Sequence, residues 1–182
     1  MDIIIIVILT IIIIASLLTM LYITLYNKLQ YSNRRIEEAE KVIATELKTR
    51  YTLIKSSKKH VEKNTKMDLD MYSKLDKIKK SNISSYDFEK KLTETITTIY
   101  IINNDYPKLA EKKEFKDIIR KLEESDTRLN AAKSFYNKNN EVLINQIKKF
   151  PSNIIAMING IRIQQYYEAV EVFNENDDGI KI

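Results

Sequence analysis

The chain has 182 residues, 30 Lys and Arg against 25 Asp and Glu for a formal charge of +5, two glycines, two prolines and no cysteine. The lack of cysteine excludes disulfide frameworks and thiolate metal sites. Two glycines exclude glycine-rich phosphate loops and leave few tight hairpins, so the composition points to an all-α protein of long helices.

Ile3 to Tyr26 form an uncharged, mostly apolar run of 24 residues, preceded only by Met1 and Asp2. As a helix the run would extend about 36 Å at ~1.5 Å per residue, enough for a hydrocarbon core of roughly 30 Å. Backbone groups at that depth have no water to bond, and a helix satisfies them within one segment. The run therefore predicts a transmembrane anchor over residues 1–27. Ile3, Ile8, Ile13, Leu18 and Leu21 would face lipid, and Tyr22 and Tyr26 would end the span as an aromatic belt. A cleaved secretory signal would carry a positive start, a shorter apolar core and small residues at its end. Here Ala15-Ser16, the only small pair, lies in mid-run. Ile and Leu surround the whole circumference, which argues against a half-buried core helix or an in-plane anchor. No Lys or Arg precedes the run, whereas Lys28, Arg34, Arg35 and Lys41 follow it. The positive-inside rule then puts the N-terminus outside and a single-pass protein in the cell (inner) membrane, its C-terminal domain cytoplasmic. Lys28, Arg34 and Arg35 are the candidates for headgroup contact.

Beyond the anchor the pattern predicts a helical bundle over 28–173. Leu25, Leu29, Ile36, Ala39, Ile43, Leu47, Ile54 and Val61 keep helical spacing with no Pro or Gly between them, which predicts a continuous stalk. The pattern weakens over residues 64–70 and resumes with Met71, Leu75 and Ile78, so the first helix is expected over 28–80, either straight or bent there. Ser84 or Ser85 can cap a second helix over 86–105, which carries Phe88, Leu92, Ile96, Ile99 and Ile102 and must stop before Pro107. A third helix over 109–149 has the cleanest period: Phe115, Leu122, Leu129, Tyr136, Leu143 and Phe150 are each seven apart. Such a seam implies packing with coiled-coil-like geometry. Its companion positions turn from apolar (Ile118, Ile119) to small or polar (Ser125, Ala132, Asn139, Gln146), and a buried Asn139 or Asn140 could fix register. Pro151 ends this helix, Ser152 can cap a short fourth helix over 152–159, and Gly160 is a natural stop. Residues 174–182 read as a flexible acidic tail. The second helix, at roughly 30 Å, is half as long as the third, at roughly 60 Å. The distal seam must therefore meet helix 1, helix 4 or another subunit, and it is the candidate self-association surface.

No constellation points to chemistry. His60 lacks a second ligand at metal spacing. Asp68, Asp70 and Asp76 resemble the start of a calcium loop, but Ser73 and Lys79 stand where Gly and Glu are needed. Glu37-Glu38-x-Glu40 and Glu123-Glu124-x-Asp126 read as solvated helix faces, since acid–base work needs a pocket that shifts a pKa. No cofactor or metal is expected. Residues 26–80 carry a net charge of +7 and residues 81–182 a net charge of −1. The basic cluster Lys55, Lys58, Lys59, Lys63 and Lys66 reads as a solvated face or as a contact for an acidic partner or an opposing membrane. Nucleic acid is not expected, because aromatics are not interleaved with the cations and Arg is scarce.

The stretch from Asp105 reads Asp-Tyr-Pro-Lys-Leu, then Phe115, Leu122-Glu123, Arg128, Ala131-Ala132-Lys133, Tyr136-Asn137, Phe150-Pro151-Ser152-Asn153 and Ala156. With Tyr26-Asn27-x-Leu29, Asn33, Ala39, Leu47-Lys48-x-Arg50, Leu53-Ile54 and His60, this ordered set resembles the bacterial LemA family. Departures mark a divergent member: Glu40 stands for a Trp, Ala44 for an Asp, Lys55-Ser56 for Pro-Asn, Leu143-Ile144 for a second Tyr-Asn, and Tyr166-Tyr167 for Tyr-Phe. The resemblance implies a single-pass membrane protein with a four-helix bundle and no established catalysis, in a family linked to magnetosome membranes, membrane shaping and neighbouring membrane proteases. The functional expectation is a non-catalytic, membrane-anchored bundle that contacts lipid, forms a homo-oligomer and organises or remodels the membrane. The alternative is a tethered docking module for a protein partner such as a membrane protease.

Overall fold

The computed structural model describes residues 2–65, 70–80 and 85–167, the side chains of 78–80 and 85 excepted. The expectations placed on Asp68, Lys66, Ile78 and Lys79, on the Ser84 or Ser85 cap and on the tail 174–182 lie outside these described residues. The fold is all-α: α1 (Asp2–Asn64), α2 (Asp70–Lys80), α3 (Ser85–Asp105), α4 (Pro107–Ala110), α5 (Lys113–Ile147) and α6 (Ser152–Ile158), with no strand among the described residues. The described chain forms two compact units, one of Met1–Val42 with Ala132–Tyr167 and the other of Ile43–Ala131.

In the second unit, α1 and α5 run antiparallel. Ser125 donates to Glu46 at 2.8 Å, Arg50 pairs with Asp126, and the Lys112 ammonium donates to Asn64 at 2.6 Å. Leu47, Ile54 and Val61 of α1, Leu75 of α2, Leu92, Ile99 and Ile102 of α3, and Phe115, Leu122 and Leu129 of α5 make the core, all buried. The stretch expected as one helix over 28–80, either straight or bent near 64–70, is two helices among the described residues, α1 and α2. α1 ends at Asn64, where the Asn64 amide donates to the His60 carbonyl at 2.6 Å and the Thr65 hydroxyl to the Val61 carbonyl at 2.9 Å. These side chains compete for the last helical carbonyls, as short polar groups do at helix ends. α2 then lies back along α1: Tyr51 donates to Asp76 at 2.5 Å, and the Ser57 and Tyr72 hydroxyls meet at 2.9 Å in a buried position. α4 is a separate turn with Pro107 at its first position, where a missing N–H costs nothing.

In the first unit, Leu29, Ile36 and Ala39 of α1, Ala132, Tyr136 and Leu143 of α5, and Ile155 and Ala156 of α6 make the buried core. The Ser32 hydroxyl meets Gln146 at 3.3 Å, so α1 and α5 are antiparallel here too. α6 closes with a Schellman motif. Gly160 takes a φ of 65°, its N–H donates to Met157 at 3.3 Å, and the Ile161 N–H donates to Ala156 at 3.0 Å. After Gly160 the chain is no longer helical and lies on α5 as a strap over residues 161–167.

Candidate membrane-boundary site

α1 carries its apolar run outside any core. Residues 2–24 are all exposed, and the most apolar 18-residue stretch is 0 % buried. That separates it from the core helix of a soluble protein, which has the same composition but is covered. Its hydroxyls are satisfied locally: Thr10, Ser16, Thr19 and Thr24 donate to the Ile6, Ile13, Ala15 and Met20 carbonyls, each at 2.8 Å. A helix with internally paired polar groups suits a medium without water. Ile3, Ile8, Ile13, Leu18 and Leu21 all lie on this exposed surface. Tyr22 and Tyr26 stack with ring centroids 6.1 Å apart and planes 3° apart.

The first buried residue along α1 is Leu29, so the bundle begins one turn beyond Tyr26. Lys28 and Arg34 are exposed. Arg35 is half-buried: its guanidinium donates to the Tyr31 hydroxyl and lies 4.8 Å from the Phe135 ring centroid, a cation–π contact within the protein. Of the heptad seam, Phe115, Leu122, Leu129, Tyr136 and Leu143 are buried, and Phe150 is not. α5 stops at Ile147, so Phe150 falls in the following turn, where the helical period no longer applies, and it is 78 % exposed. The distal seam, expected to meet helix 1, helix 4 or another subunit, is covered by α1 and the strap of its own chain. This removes the geometric argument for a subunit contact there.

Three polar clusters hold the bundle. Glu46 accepts from Arg128 Nε at 2.9 Å as well as from Ser125, and Arg50 is buried against Asp126. Burial, with Glu123 and Asp126 nearby, pushes the Tyr100 phenol up to about 12. Second, Asn137 clasps the strap. Its Nδ2 donates to the Tyr167 carbonyl, and its Oδ1 accepts the Tyr167 N–H, each at 2.8 Å. Asn140 donates to the Gln164 carbonyl at 2.7 Å, Tyr136 donates to the Gln165 carbonyl at 3.0 Å, and the Tyr136 and Tyr167 rings meet edge-on at 5.3 Å. Burial raises the Tyr136 phenol, with help from the charge on Glu40. Third, His60 lies 3.7 Å from Glu114 and against the Phe115 ring. Of the basic cluster, Lys55 pairs with Asp76 at 3.6 Å, while Lys58, Lys59 and Lys63 are exposed. Of the acidic clusters, Glu37 accepts from Asn33 at 2.7 Å, Glu124 pairs with Arg120, and Asp126 takes Arg50. Among the described residues no three His, Cys, Asp or Glu come together as a metal site.

Asn140 is buried, as one of the two asparagines singled out in the sequence, whereas the buried Glu46, Arg50 and Ser57 went unpredicted, although one signal was present: positions 29, 36, 43, 50 and 57 of α1 are seven apart, and all are buried although two are Arg50 and Ser57. The strap clasp joins Tyr136-Asn137 to Tyr167. The family model for the LemA family matches residues 39–180. This chain belongs to the LemA family. The match begins at Ala39, so the apolar run that suggests membrane association lies outside it. A search of curated proteins returned no match. The LemA family is not a known enzyme family.

Proposed function

We propose that this LemA-family chain is a non-catalytic, membrane-anchored helical bundle, N-terminus outside and bundle in the cytoplasm, that associates with its own copies and organises or remodels the bilayer. One observation carries the reading: α1 passes from an exposed apolar run into packed core with no loop between them. Packing of α5 and α6 against α1 holds the anchored helix at a set angle to its unit. An anchor of that kind transmits position and tilt to the lipid, which a flexible tether does not. With the α5 seam covered, lateral contact falls to the lipid-facing surface of α1 rather than to Tyr136 or Leu143. The docking reading needs an open apolar groove on α5, and the chain fills that groove itself, so we favour self-association.

The test is mass measurement of the full chain in lipid nanodiscs and in mild detergent, with alkaline washing of membranes as the companion assay. The expected result is an alkali-resistant membrane protein that forms assemblies in lipid. A single-copy mass at micromolar concentration would remove self-association, and release by alkali would remove the anchor.

A further inference from the structure

From Phe150 to Ile161 the chain carries no charged residue, and α6 within that stretch is apolar on two sides. Ser152, Ile155 and Ala156 are buried. Ile154, Met157 and Ile158, at the complementary i, i+3, i+4 positions, are exposed, the last two at 77 % and 70 %, and Phe150 joins them. An exposed apolar face opposite a buried one calls for a second apolar environment beyond the protein core.

The position of this face decides what covers it. Asn159, directly after α6, donates from Nδ2 to the Tyr22 hydroxyl at 3.1 Å, and its Oδ1 lies 3.3 Å from the same hydroxyl. Tyr22 sits inside the apolar run of α1, five residues before Asn27, hence about 7 Å deeper along the axis at ~1.5 Å per residue. The end of α6 is therefore tied to the spanning helix below the level at which polar residues resume. Cations flank the segment: Lys148 and Lys149 precede Phe150, Arg162 follows Ile161, and all three are exposed. Lys149 also lines a groove with Lys28, Leu25 and Phe150.

We infer that residues 150–161 are a second lipid-contacting element: Phe150, Ile154, Met157 and Ile158 enter the interfacial layer of the leaflet that α1 leaves, and Lys148, Lys149 and Arg162 meet its phosphates. A stretch of about a dozen uncharged residues suits an interfacial segment and is too short to span. The depth set by Tyr22 also agrees with the ~5–10 Å that interfacial helices reach. Two attachments fix both the depth of α1 and its rotation about its own axis, which one helix alone leaves free. The inference rests on α1 crossing the membrane.

Because the chain has no Trp, single substitutions give unique reporters. Full-length Met157→Trp, Ile12→Trp and Val42→Trp proteins would be reconstituted in phosphatidylcholine–phosphatidylglycerol vesicles, with and without brominated acyl chains, after circular dichroism confirms helicity. Phe150→Trp stands in should Met157→Trp misfold. At interfacial depth, Met157→Trp emission should shift to the blue and lose about half its intensity to shallow bromines, Ile12→Trp should be quenched most by deep bromines, and Val42→Trp should respond to neither. Water-like Met157→Trp emission beside a quenched Ile12→Trp overturns the inference and leaves the anchor intact. Blue-shifted but unquenched Met157→Trp emission also overturns it, because a second copy of the chain would then cover the face. An unquenched Ile12→Trp sinks the anchor itself, and this inference with it.

Discussion

Asn137→Ala should open the strap without unfolding the bundle. The side-chain amide makes two hydrogen bonds to the Tyr167 backbone, one in each direction. Each is worth about 1 kcal/mol net for a group that is not fully buried. The strap therefore loses about 2 kcal/mol, and its opening equilibrium rises about 30-fold. The Tyr136–Tyr167 edge contact and the Asn140–Gln164 bond remain, so opening stays local. Native-state hydrogen exchange resolved at single amides checks this: Tyr167 should exchange about 30-fold faster, while amides of Leu129 and Leu122 in α5 keep their wild-type protection. Asn140→Leu makes a useful pair. It deletes the Gln164 bond and also removes a buried Oδ1 that has no partner, so it should speed strap exchange with little change in global melting. Unchanged Tyr167 exchange in Asn137→Ala, or an equal loss of protection throughout α5, would refute the claim that the Asn137 amide holds the strap.

Leu122→Ala, at a fully buried seam position, should destabilise the chain by about 2–5 kcal/mol, whereas Phe150→Ala should cost under about 0.5 kcal/mol; chemical denaturation of the two in the same lipid or detergent compares them. Asp126→Ala strands the buried Arg50 and should cost about 2 kcal/mol, the range for a hydrogen bond to a charged group, and Arg50→Met in the same background should recover part of that loss. Tyr100 has a folded pKa of about 12 against an unfolded value near 10. Its contribution to stability is present below pH ~10 and is lost as pH rises toward ~12. Tyr100→Phe should flatten that alkaline decline in thermal melts, and phenolate absorbance should lose its latest-titrating component.

The apolar run that suggests membrane association and the all-α class were legible in residues 1–182 because both are local properties. An apolar, uncharged run of 24 residues has few other uses, and a chain with two glycines has few ways to turn. Period seven marked Phe115 to Leu143 as one face for the same reason: helical spacing states which side of α5 is covered. It does not state what covers it. That Tyr136 and Leu143 lie under α1 and the strap rather than a second subunit follows from contacts such as Ser32 with Gln146, 114 positions apart. Helical spacing puts Glu46, three after Ile43, on the covered face of α1 and Glu37 off it, but that Glu46 meets Ser125 and Arg128 there is decided by the antiparallel register of α5. The same limit applies at the ends of the seam. Phe150 keeps the spacing but leaves the helix, and the end of α1 at Asn64 depends on the short polar side chains of Asn64 and Thr65 capping its last carbonyls and on α2 packing back through Tyr72 and Asp76. Hydropathy and period are set residue by residue along the chain, whereas partner, register and the point where a helix yields to a turn are decided by groups far apart in sequence.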